Sequence, residues 1–144
     1  MRRFGEAVQV GRRYRARPGI YAILPKGQSL LITHQAAPVP EFQLPGGGID
    51  PGEHPLQALH REVFEETGWS IASPRKLGAY RRFTYMPDYD LWAEKICHVY
   101  VAHPIRPIAA PAEQGHTAVL TDARIAQNLL AREGDLCFLK DFFR

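Results

Sequence analysis

The stretch "PGGGIDPGEHPLQALHREVFEETGW" (residues 45–69) places a helical pattern directly after a glycine-rich segment. Leu56, Leu59 and Val63 recur at the spacing of one apolar stripe on a helix. Proline at position 55 is typical of the first helical residue, and glycine at position 68 of the left-handed residue that ends a helix. The sequence therefore predicts a glycine loop and then a helix from Pro55 to Thr67 that packs on a sheet.

Three glutamates of this helix, Glu62, Glu65 and Glu66, fall within an arc of about 100° beside the apolar stripe. Only Arg61, four residues before Glu65, offers them a basic partner. Like charges at these spacings cost roughly 0.2–0.5 kcal/mol per pair, so a bound cation would stabilise the arrangement. Carboxylates suit Mg²⁺ or Mn²⁺, whereas zinc would require paired Cys or His ligands. From the residues alone, a solvated acidic helix face is the alternative.

Short apolar and β-branched runs surround this helix and are bounded by proline, glycine and aspartate. The first two runs, separated by "PKGQ", predict an antiparallel hairpin. A second helix is predicted over 122–133, with Asp122 as its N-cap. The mixture of strands and helices favours an α/β or α+β sandwich over a barrel or a bundle. The predicted strands are 19–24, 29–34, 41–44, 76–86, 91–103 and 116–120.

The chain has 144 residues, a net charge of +3 and no apolar run of the roughly 18 residues that a membrane span requires. This length predicts a single domain over residues 1–144. We expect a cytoplasmic protein without a membrane partner, because the N-terminus lacks the apolar stretch of a signal peptide. The arginines near the start of the chain are interpreted either as part of a mobile basic arm over residues 1–17 or as a surface for anionic substrates.

Gly47, Glu53 and the run "REVFEETGW" (residues 61–69) carry defined residue types at defined spacing. With five residues between the first two and seven between Glu53 and the run, they resemble the Nudix box of the Nudix hydrolases, complete from Gly47 to Trp69. The resemblance implies an α/β fold, the Nudix-type α/β/α sandwich around a mixed β-sheet, and an enzyme that acts on phosphoric anhydrides. Trp69 departs from the family pattern, where a smaller aliphatic residue is usual, and should affect packing rather than chemistry.

The same resemblance implies a metal site on the predicted helix. Glutamate carboxylates and one backbone carbonyl would bind Mg²⁺ or Mn²⁺. Glycine at the carbonyl position agrees with this role, because it lets the backbone approach an ion or a phosphate closely. The implied metal ligands are Gly47, Glu62, Glu65 and Glu66.

Four residues are expected to serve catalysis: Glu65, Arg61, Glu53 and Glu113. In similar proteins the arginine holds a glutamate of the cluster, here Glu65 by its i+4 spacing, and Glu53 is expected to have an orienting role. A general base is drawn either from a box glutamate or from an acid on a later loop. In "APAEQGHTAVL" (residues 110–120) Glu113 is the better candidate, with His116 behind it. An exposed loop carboxylate and a structural histidine are the alternatives for these two.

Two residues of the strand 76–86 are predicted to bind substrate. Tyr85 lies sixteen residues after Trp69, where a tyrosine marks diadenosine polyphosphate hydrolases of the family, and its ring could stack on a base. Strand alternation places Arg81 on the same face, within reach of substrate phosphate. In the alternative interpretation, Tyr85 packs beside Phe83 in a strand pair. The stretch 41–53 is moderately similar to that of RNA 5′-pyrophosphohydrolases and dinucleoside polyphosphate hydrolases.

The sequence and the resemblance together predict metal-dependent hydrolysis of a diphosphate (pyrophosphate) linkage in a nucleoside diphosphate derivative. The expected partners are nucleotide-type small molecules, with a dinucleoside polyphosphate or a 5′-triphosphorylated RNA end among the substrates, and a homodimer is left open. One alternative is a house-cleaning nucleoside triphosphate pyrophosphohydrolase. Another, from a different class, is a non-catalytic nucleotide-binding sensor, which is disfavoured because such modules typically lose box glutamates that are all present here.

Overall fold

The computed structural model describes all 144 residues and contains nine strands, three α-helices and one 3₁₀ turn. The strands are β1 (Arg2–Gly5), β2 (Arg15–Ile23), β3 (Pro25–Lys26), β4 (Ser29–Gln35), β5 (Glu41–Gln43), β6 (Gly46–Gly48), β7 (Trp69–Met86), β8 (Leu91–Pro107) and β9 (His116–Asp122). The helices are α1 (Pro55–Thr67), α2 (Ala123–Leu129) and α3 (Glu133–Phe142), and the 3₁₀ turn is Pro87–Tyr89. None of the helices has the length and apolar character that crossing a membrane requires.

The strands form a mixed five-stranded sheet and an antiparallel four-stranded sheet. The first sheet has the order β1-β7-β8-β2-β6, in which β1 runs parallel to β7 and β2 runs parallel to β8. In the second sheet, β4 pairs with β3, β5 and β9. The predicted α/β class with a mixed sheet is confirmed, and the second sheet is a feature that the sequence did not predict.

Side chains of β2 alternate between two apolar cores. Ile20 and Ala22 pack with Leu59 of α1, whereas Tyr21 and Ile23 belong to the cluster that includes residues of α2 and α3. Fully burying a leucine side chain contributes about 1.5–3 kcal/mol, and Leu59 is completely buried. This packing fixes α1 against the centre of the five-stranded sheet.

Helix α1 has the predicted bounds and both predicted end signals. Pro55 is its first residue, and the His54 side chain caps the helix by accepting a hydrogen bond from the Leu56 N–H at 3.1 Å. Gly68 ends the helix with φ 76°, and its N–H donates to the Phe64 carbonyl at 2.8 Å. Local sequence signals therefore determine where the helix starts and stops.

The glycine-rich segment before α1 is a strand, so the predicted loop is wrong there. Strand β6 pairs antiparallel with residues 19–21 of β2. Gly46 has φ 153°, and a Cβ atom on it would overlap the carbonyl oxygen of Ile20. The missing side chain lets β6 lie close enough to β2 to extend the sheet toward the glutamates of α1.

The antiparallel hairpin predicted from residues 19–24 and 29–34 is only partly correct. The turn is present, and the Leu31 N–H donates to the Leu24 carbonyl at 2.9 Å. Strands β2 and β4 nevertheless belong to different sheets, and β4 pairs with the two residues of β3. Because β2 already lies between β8 and β6, it has no free edge on which β4 could pair.

The C-terminal part also differs from the prediction. The helix predicted over 122–133 ends early, because the Ala131 N–H donates to the Phe42 carbonyl at 3.1 Å instead of continuing the helix. The separate helix α3 was not predicted. It packs on β7, where the Tyr80 hydroxyl donates to the buried Asp135 at 2.7 Å.

Part of the arginine-rich N-terminus belongs to the five-stranded sheet. Strand β1 pairs parallel with residues 80–83 of β7, and Arg15 and Arg17 lie in β2. Residues 6–14 lie outside helices and strands. Two segments of the predicted mobile arm over residues 1–17 thus pair with neighbouring strands, and the mobility of the arm stays a prediction.

Candidate metal and catalytic site

Arg61 is the centre of an ion-pair network on α1. Its guanidinium donates two hydrogen bonds to the Glu53 carboxylate, from Nε and from Nη2, both at 2.8 Å. Its Nη1 donates to Glu62 at 3.0 Å and to both carboxylate oxygens of Glu65 at 3.3 Å. Nη2 also donates to the Gly48 carbonyl at 3.1 Å, which ties β6 to the helix. The pair between Arg61 and Glu65 that the spacing predicted is thus part of a larger network.

Glu53 lies in the loop before α1 and orients Arg61 from outside the helix. The Asp50 N–H donates to the Glu53 carboxylate at 3.0 Å. The Arg61 guanidinium and this N–H lower the pKa of Glu53 to about 2. The two-point contact between Glu53 and Arg61 also raises the pKa of Arg61, so both groups stay charged at neutral pH.

Glu62 and Glu66 are almost fully removed from solvent, with 8% and 5% of their surface exposed. Burial raises the pKa of Glu62 to about 7, and Arg61 opposes this shift. Burial also raises the pKa of Glu66 to about 8, against the hydrogen bond that the Gly46 N–H donates to it at 3.0 Å. Repulsion from Glu113 adds to both pKa shifts. Two buried carboxylates this close therefore require a cation to stay ionised together at neutral pH.

Glu113 lies on the loop between β8 and β9, and the fold brings it to α1. Its N–H donates to the Glu65 carbonyl at 2.9 Å. Its carboxylate belongs to two groups whose ligand atoms lie within 4.8 Å of one another, one with Glu62 and Glu65 and one with Glu66 and His116. The fold therefore brings this acid of a later loop to the glutamates of α1, and its role as a general base stays a prediction.

His116, the first residue of β9, lies beside Glu66. Its Nδ1 forms a hydrogen bond with the Thr33 hydroxyl at 2.9 Å, and its Nε2 is 3.9 Å from a carboxylate oxygen of Glu66. Burial lowers the pKa of His116, so the neutral imidazole is favoured at neutral pH. The bond to Thr33 agrees with the structural role that was the alternative for this residue.

We call Glu62, Glu65, Glu66 and Glu113 the acidic cluster. Oxygen donors of this kind suit a hard divalent cation. Gly47 lies so close to the cluster that a Cβ atom on it would overlap the Glu62 carboxyl group. One guanidinium cannot neutralise four carboxylates, so the cluster is able to bind a divalent metal.

A cavity of about 720 Å³, which we call the cleft, opens beside the acidic cluster. Glu53, Glu62 and Gly48 are among its lining residues, so the cleft is continuous with the cluster. Five basic or aromatic residues also line it: Arg15, Arg17, Tyr21, Tyr89 and Lys95. None of the five was predicted as a site residue, because they come from three segments that the fold brings together: β2, its parallel partner β8 and the 3₁₀ turn that precedes β8.

The structure does not place Tyr85 and Arg81, the two predicted substrate-binding residues, on the cleft. The Tyr85 ring packs on Trp92 with centroids 5.0 Å apart, and its hydroxyl donates to Asp90. The Arg81 guanidinium lies 3.4 Å from Glu94. Both side chains thus have partners within the β7–β8 hairpin.

The reason for this difference lies in the register of β7 and β8. Arg81 and Tyr85 do share a face of β7, as alternation predicted. Lys95, which lines the cleft, is paired with Arg82, the neighbour that points to the opposite face. Sequence alternation gave the correct grouping but not which of the two faces meets the cleft.

The fold and the acidic cluster define an α/β domain that can bind a divalent metal on a helix next to a glycine strand. A family model described as NUDIX domain matches residues 13–140. The chain therefore belongs to the NUDIX family, and the resemblance of its box to that family is confirmed.

Two curated relatives align with part of the chain. A Bacillus subtilis protein provisionally named 8-oxo-dGTP diphosphatase is 37% identical over 70 residues, which cover 49% of this chain and 46% of the relative. An RNA pyrophosphohydrolase of Cereibacter sphaeroides is 44% identical over 54 residues, which cover 36% of this chain and 33% of the relative. The chain thus aligns with less than half the length of either relative.

A solved structure of similar shape supports the fold. A NUDIX hydrolase from Nitrosomonas europaea matches with a TM-score of 0.71 at 18% identity, covering 90% of this chain and 89% of that chain. At this identity the likeness concerns the fold alone.

Proposed function

We propose that this protein is a metal-dependent, Nudix-type pyrophosphohydrolase that cleaves a diphosphate linkage in a nucleoside diphosphate derivative. The observation that carries the proposal is the convergence of four carboxylates from α1 and the β8–β9 loop at the edge of a cleft that basic residues also line. Membership of the NUDIX family and the names of the two curated relatives support it.

Glu62, Glu65 and Glu66, together with the Gly47 carbonyl, would hold Mg²⁺ or Mn²⁺. When bound, the metal neutralises charge on the bridging phosphates and lowers the pKa of a water molecule toward neutrality. Arg61 keeps the glutamate side chains in place, because its guanidinium is itself fixed by two hydrogen bonds from outside the helix.

We propose that either Glu65 or Glu113 accepts the proton of the attacking water. The two carboxylates belong to one group of adjoining oxygens, and both are more exposed than Glu62 and Glu66. Exposure lets the accepted proton pass to solvent after the linkage is cleaved. The backbone bond from the Glu113 N–H to the Glu65 carbonyl holds this pair together.

We propose a dinucleoside polyphosphate or a 5′-triphosphorylated RNA end as substrate, and the name of the Cereibacter relative favours the RNA end. House-cleaning hydrolysis of nucleoside triphosphates is the second candidate, favoured by the name of the Bacillus relative. The complete acidic cluster argues against a non-catalytic sensor. We also propose that residues 1–144 form a single domain and that the protein is cytoplasmic. The absence of a membrane partner and the formation of a homodimer likewise stay proposals.

The direct test is turnover of a substrate panel with Mg²⁺ or Mn²⁺. The panel contains a dinucleoside tetraphosphate, a 5′-triphosphorylated RNA oligonucleotide, ordinary and oxidised nucleoside triphosphates, and a nucleoside diphosphate sugar. We expect cleavage of a phosphoric anhydride bond in at least one of them, with solvent ¹⁸O incorporated into one product phosphate. Binding of panel members without turnover under either metal would support the sensor instead.

The aromatic platform for the base is expected at Tyr89, which lines the cleft, is 62% exposed and lies 5.0 Å from the Arg17 guanidinium. Stacking on such a ring contributes about 1–3 kcal/mol per base, so Tyr89→Leu should raise KM for nucleotides roughly 5- to 150-fold. Tyr85→Leu, the same change at the residue predicted from sequence, is the matched comparison and should leave KM within about twofold. If Tyr85→Leu raises KM more than Tyr89→Leu does, Tyr85 stacks on the base as the sequence predicted, and Tyr89 is not the aromatic platform.

A further inference from the structure

Four cationic side chains lie on one face of the five-stranded sheet, beside the acidic cluster. Arg17 of β2 is paired with Lys95 of β8, and Lys95 is paired with Arg82 of β7. Residues that are directly paired across strands point to the same face. Arg15 lies on this face as well, two residues before Arg17. The face therefore concentrates positive charge where three neighbouring strands meet.

No ion pair with the protein compensates this positive charge. None of Arg15, Arg17, Arg82 and Lys95 makes an ion pair. Burial, followed by repulsion from Arg132, Arg82 and Arg17, lowers the pKa of Lys95 to about 8. A partly buried lysine among arginines and without an anionic partner is costly unless an anion is bound there for part of the functional cycle.

Three of these residues, Arg15, Arg17 and Lys95, line the same cleft as Glu62, and we call them the basic cluster. Arg82 lines a neighbouring cavity and adds to the positive potential. Gly19 is paired with Gly48, next to the acidic cluster. At about 3.3 Å per residue, Arg17 and Arg15 follow along β2 at about 7 and 13 Å from that glycine pair. The cations thus form a track that leads away from the carboxylates.

We propose that the basic cluster binds the phosphate chain of the substrate beyond the cleaved linkage, so that the site selects chains of three or more consecutive phosphates. The inference rests on the proposed hydrolase function and narrows its substrate class. The acidic cluster and the metal that it would hold would bind the phosphates that react. The phosphates that follow would bind to the basic cluster. A nucleoside diphosphate sugar has no such additional phosphates.

The binding test uses inorganic phosphate, pyrophosphate and tripolyphosphate as probes, titrated calorimetrically into the full chain in EDTA. We expect affinity to rise with chain length, with tripolyphosphate at least about tenfold tighter than phosphate. Charge-assisted hydrogen bonds of this kind are strong enough for Arg17→Gln and Lys95→Gln each to weaken tripolyphosphate binding about tenfold or more. No preference for chain length in the wild type would overturn the proposal.

Two matched controls remove the same charges elsewhere on the five-stranded sheet. Arg75→Gln and Lys76→Gln replace exposed residues of β7 that do not line the cleft and should change tripolyphosphate affinity less than about twofold. If the controls lose as much tripolyphosphate affinity as Arg17→Gln and Lys95→Gln, binding depends only on the net charge of the protein, and the proposal is overturned. Because Arg17 and Lys95 have no ionic partner to lose, their glutamine variants should melt at or above the wild-type temperature, which thermal unfolding checks.

A kinetic comparison separates this inference from the proposed function. With Mg²⁺, Arg17→Gln and Lys95→Gln should raise KM about tenfold for substrates with three or more phosphates and leave kcat within about threefold. KM for a nucleoside diphosphate sugar, which supplies no phosphate to the basic cluster, should rise less than about threefold. If the wild type turns over nothing, the hydrolase proposal fails while the titration in EDTA still decides the basic cluster. A third outcome concerns RNA that lacks a 5′-triphosphate. If the wild type binds this RNA, the two glutamine variants bind it about tenfold more weakly and tripolyphosphate does not bind at all, the cluster recognises the nucleic-acid backbone and the proposal fails.

Discussion

Glu66→Gln is expected to lower kcat/KM by about 10²–10³-fold while making the metal-free protein more stable. The activity falls because one carboxylate that would bind the metal becomes a neutral amide, and loss of a single preorganised electrostatic contact typically costs this much. The stability rises because the glutamine keeps the shape and can still accept the hydrogen bond from the Gly46 N–H, yet brings no charge into a buried position. A residue with a merely structural role would not change the two quantities in opposite directions.

The measurements are steady-state kinetics on the best substrate of the panel and thermal unfolding with EDTA or with Mg²⁺. In the wild type, Mg²⁺ should raise the melting temperature, because a ligand that binds only the folded state stabilises it. This shift should shrink strongly in Glu66→Gln. Glu6→Gln, at an exposed carboxylate without an ion pair, is the matched control and should keep both the activity and the shift. Turnover that survives Glu66→Gln would exclude the acidic cluster as the metal platform.

Helix α1 and its carboxylates could be predicted from sequence because their signals are local. Proline, the apolar stripe and the terminal glycine lie within thirteen residues of one another, and each acts on the backbone next to it. The spacing of Glu62, Glu65 and Glu66 on a helix then fixes their common face without reference to the rest of the chain. The family resemblance added Gly47 and Glu53, which lie within the same short stretch.

The basic side of the cleft could not be predicted, because it depends on pairing between distant segments. Arg17 and Lys95 are brought side by side by the parallel pairing of β2 and β8, which no local pattern indicates. The same limit applies to Tyr85 and Arg81, whose common face was correct but whose orientation depends on what packs against each side of β7. Glu113 was a candidate because the family resemblance points to an acid on a later loop, and the fold brings that loop to Glu65.

Other differences have the same origin in long-range contacts. A run of glycines usually indicates a loop, but β6 obtains its partner from β2 and becomes a strand through that partner. Strand β7 begins at Trp69 rather than near position 76, because register shifts accommodate residues such as Ser73, which has φ 53°. Tertiary pairing overrides local preference at each of these places.

Without divalent cations, the unfolding free energy is expected to fall as the pH rises from about 4.5 to about 8. The pKa of Glu62 is raised to about 7 and that of Glu66 to about 8, from an ordinary value of 4.5. The folded chain therefore keeps protons that the unfolded chain has released, so this stability is fully present below pH 4.5 and is lost as the pH rises through 7 and 8. For two buried, coupled carboxyls the loss is on the order of a few kcal/mol.

Glu53 and His116 also make the unfolding free energy depend on pH, Glu53 at lower pH and His116 in the opposite direction to the two buried glutamates. The pKa of Glu53 is lowered to about 2, so its contribution is lost only as the pH falls below about 4.5 toward 2. Burial lowers the pKa of His116 below 6.5, so its contribution is present above pH 6.5 and is lost as the pH falls through the lowered pKa. The histidine thus partly offsets the loss below pH 6.5, and the unfolding free energy is expected to level off once the pH exceeds about 8.

Urea unfolding at several pH values between 4.5 and 8.5, in EDTA and in Mg²⁺, checks this dependence. Mg²⁺ should remove or reverse the slope, because metal ligands must be deprotonated and binding therefore strengthens as the pH rises. A variant that carries both Glu62→Gln and Glu66→Gln has no buried carboxyl to titrate on α1 and should lose most of the fall in unfolding free energy that the wild type shows in EDTA. If this double variant keeps the wild-type slope, the pH dependence comes from other groups. The charged forms of Glu62 and Glu66 would then not be destabilised by burial, and the cluster would not need a cation to keep them ionised.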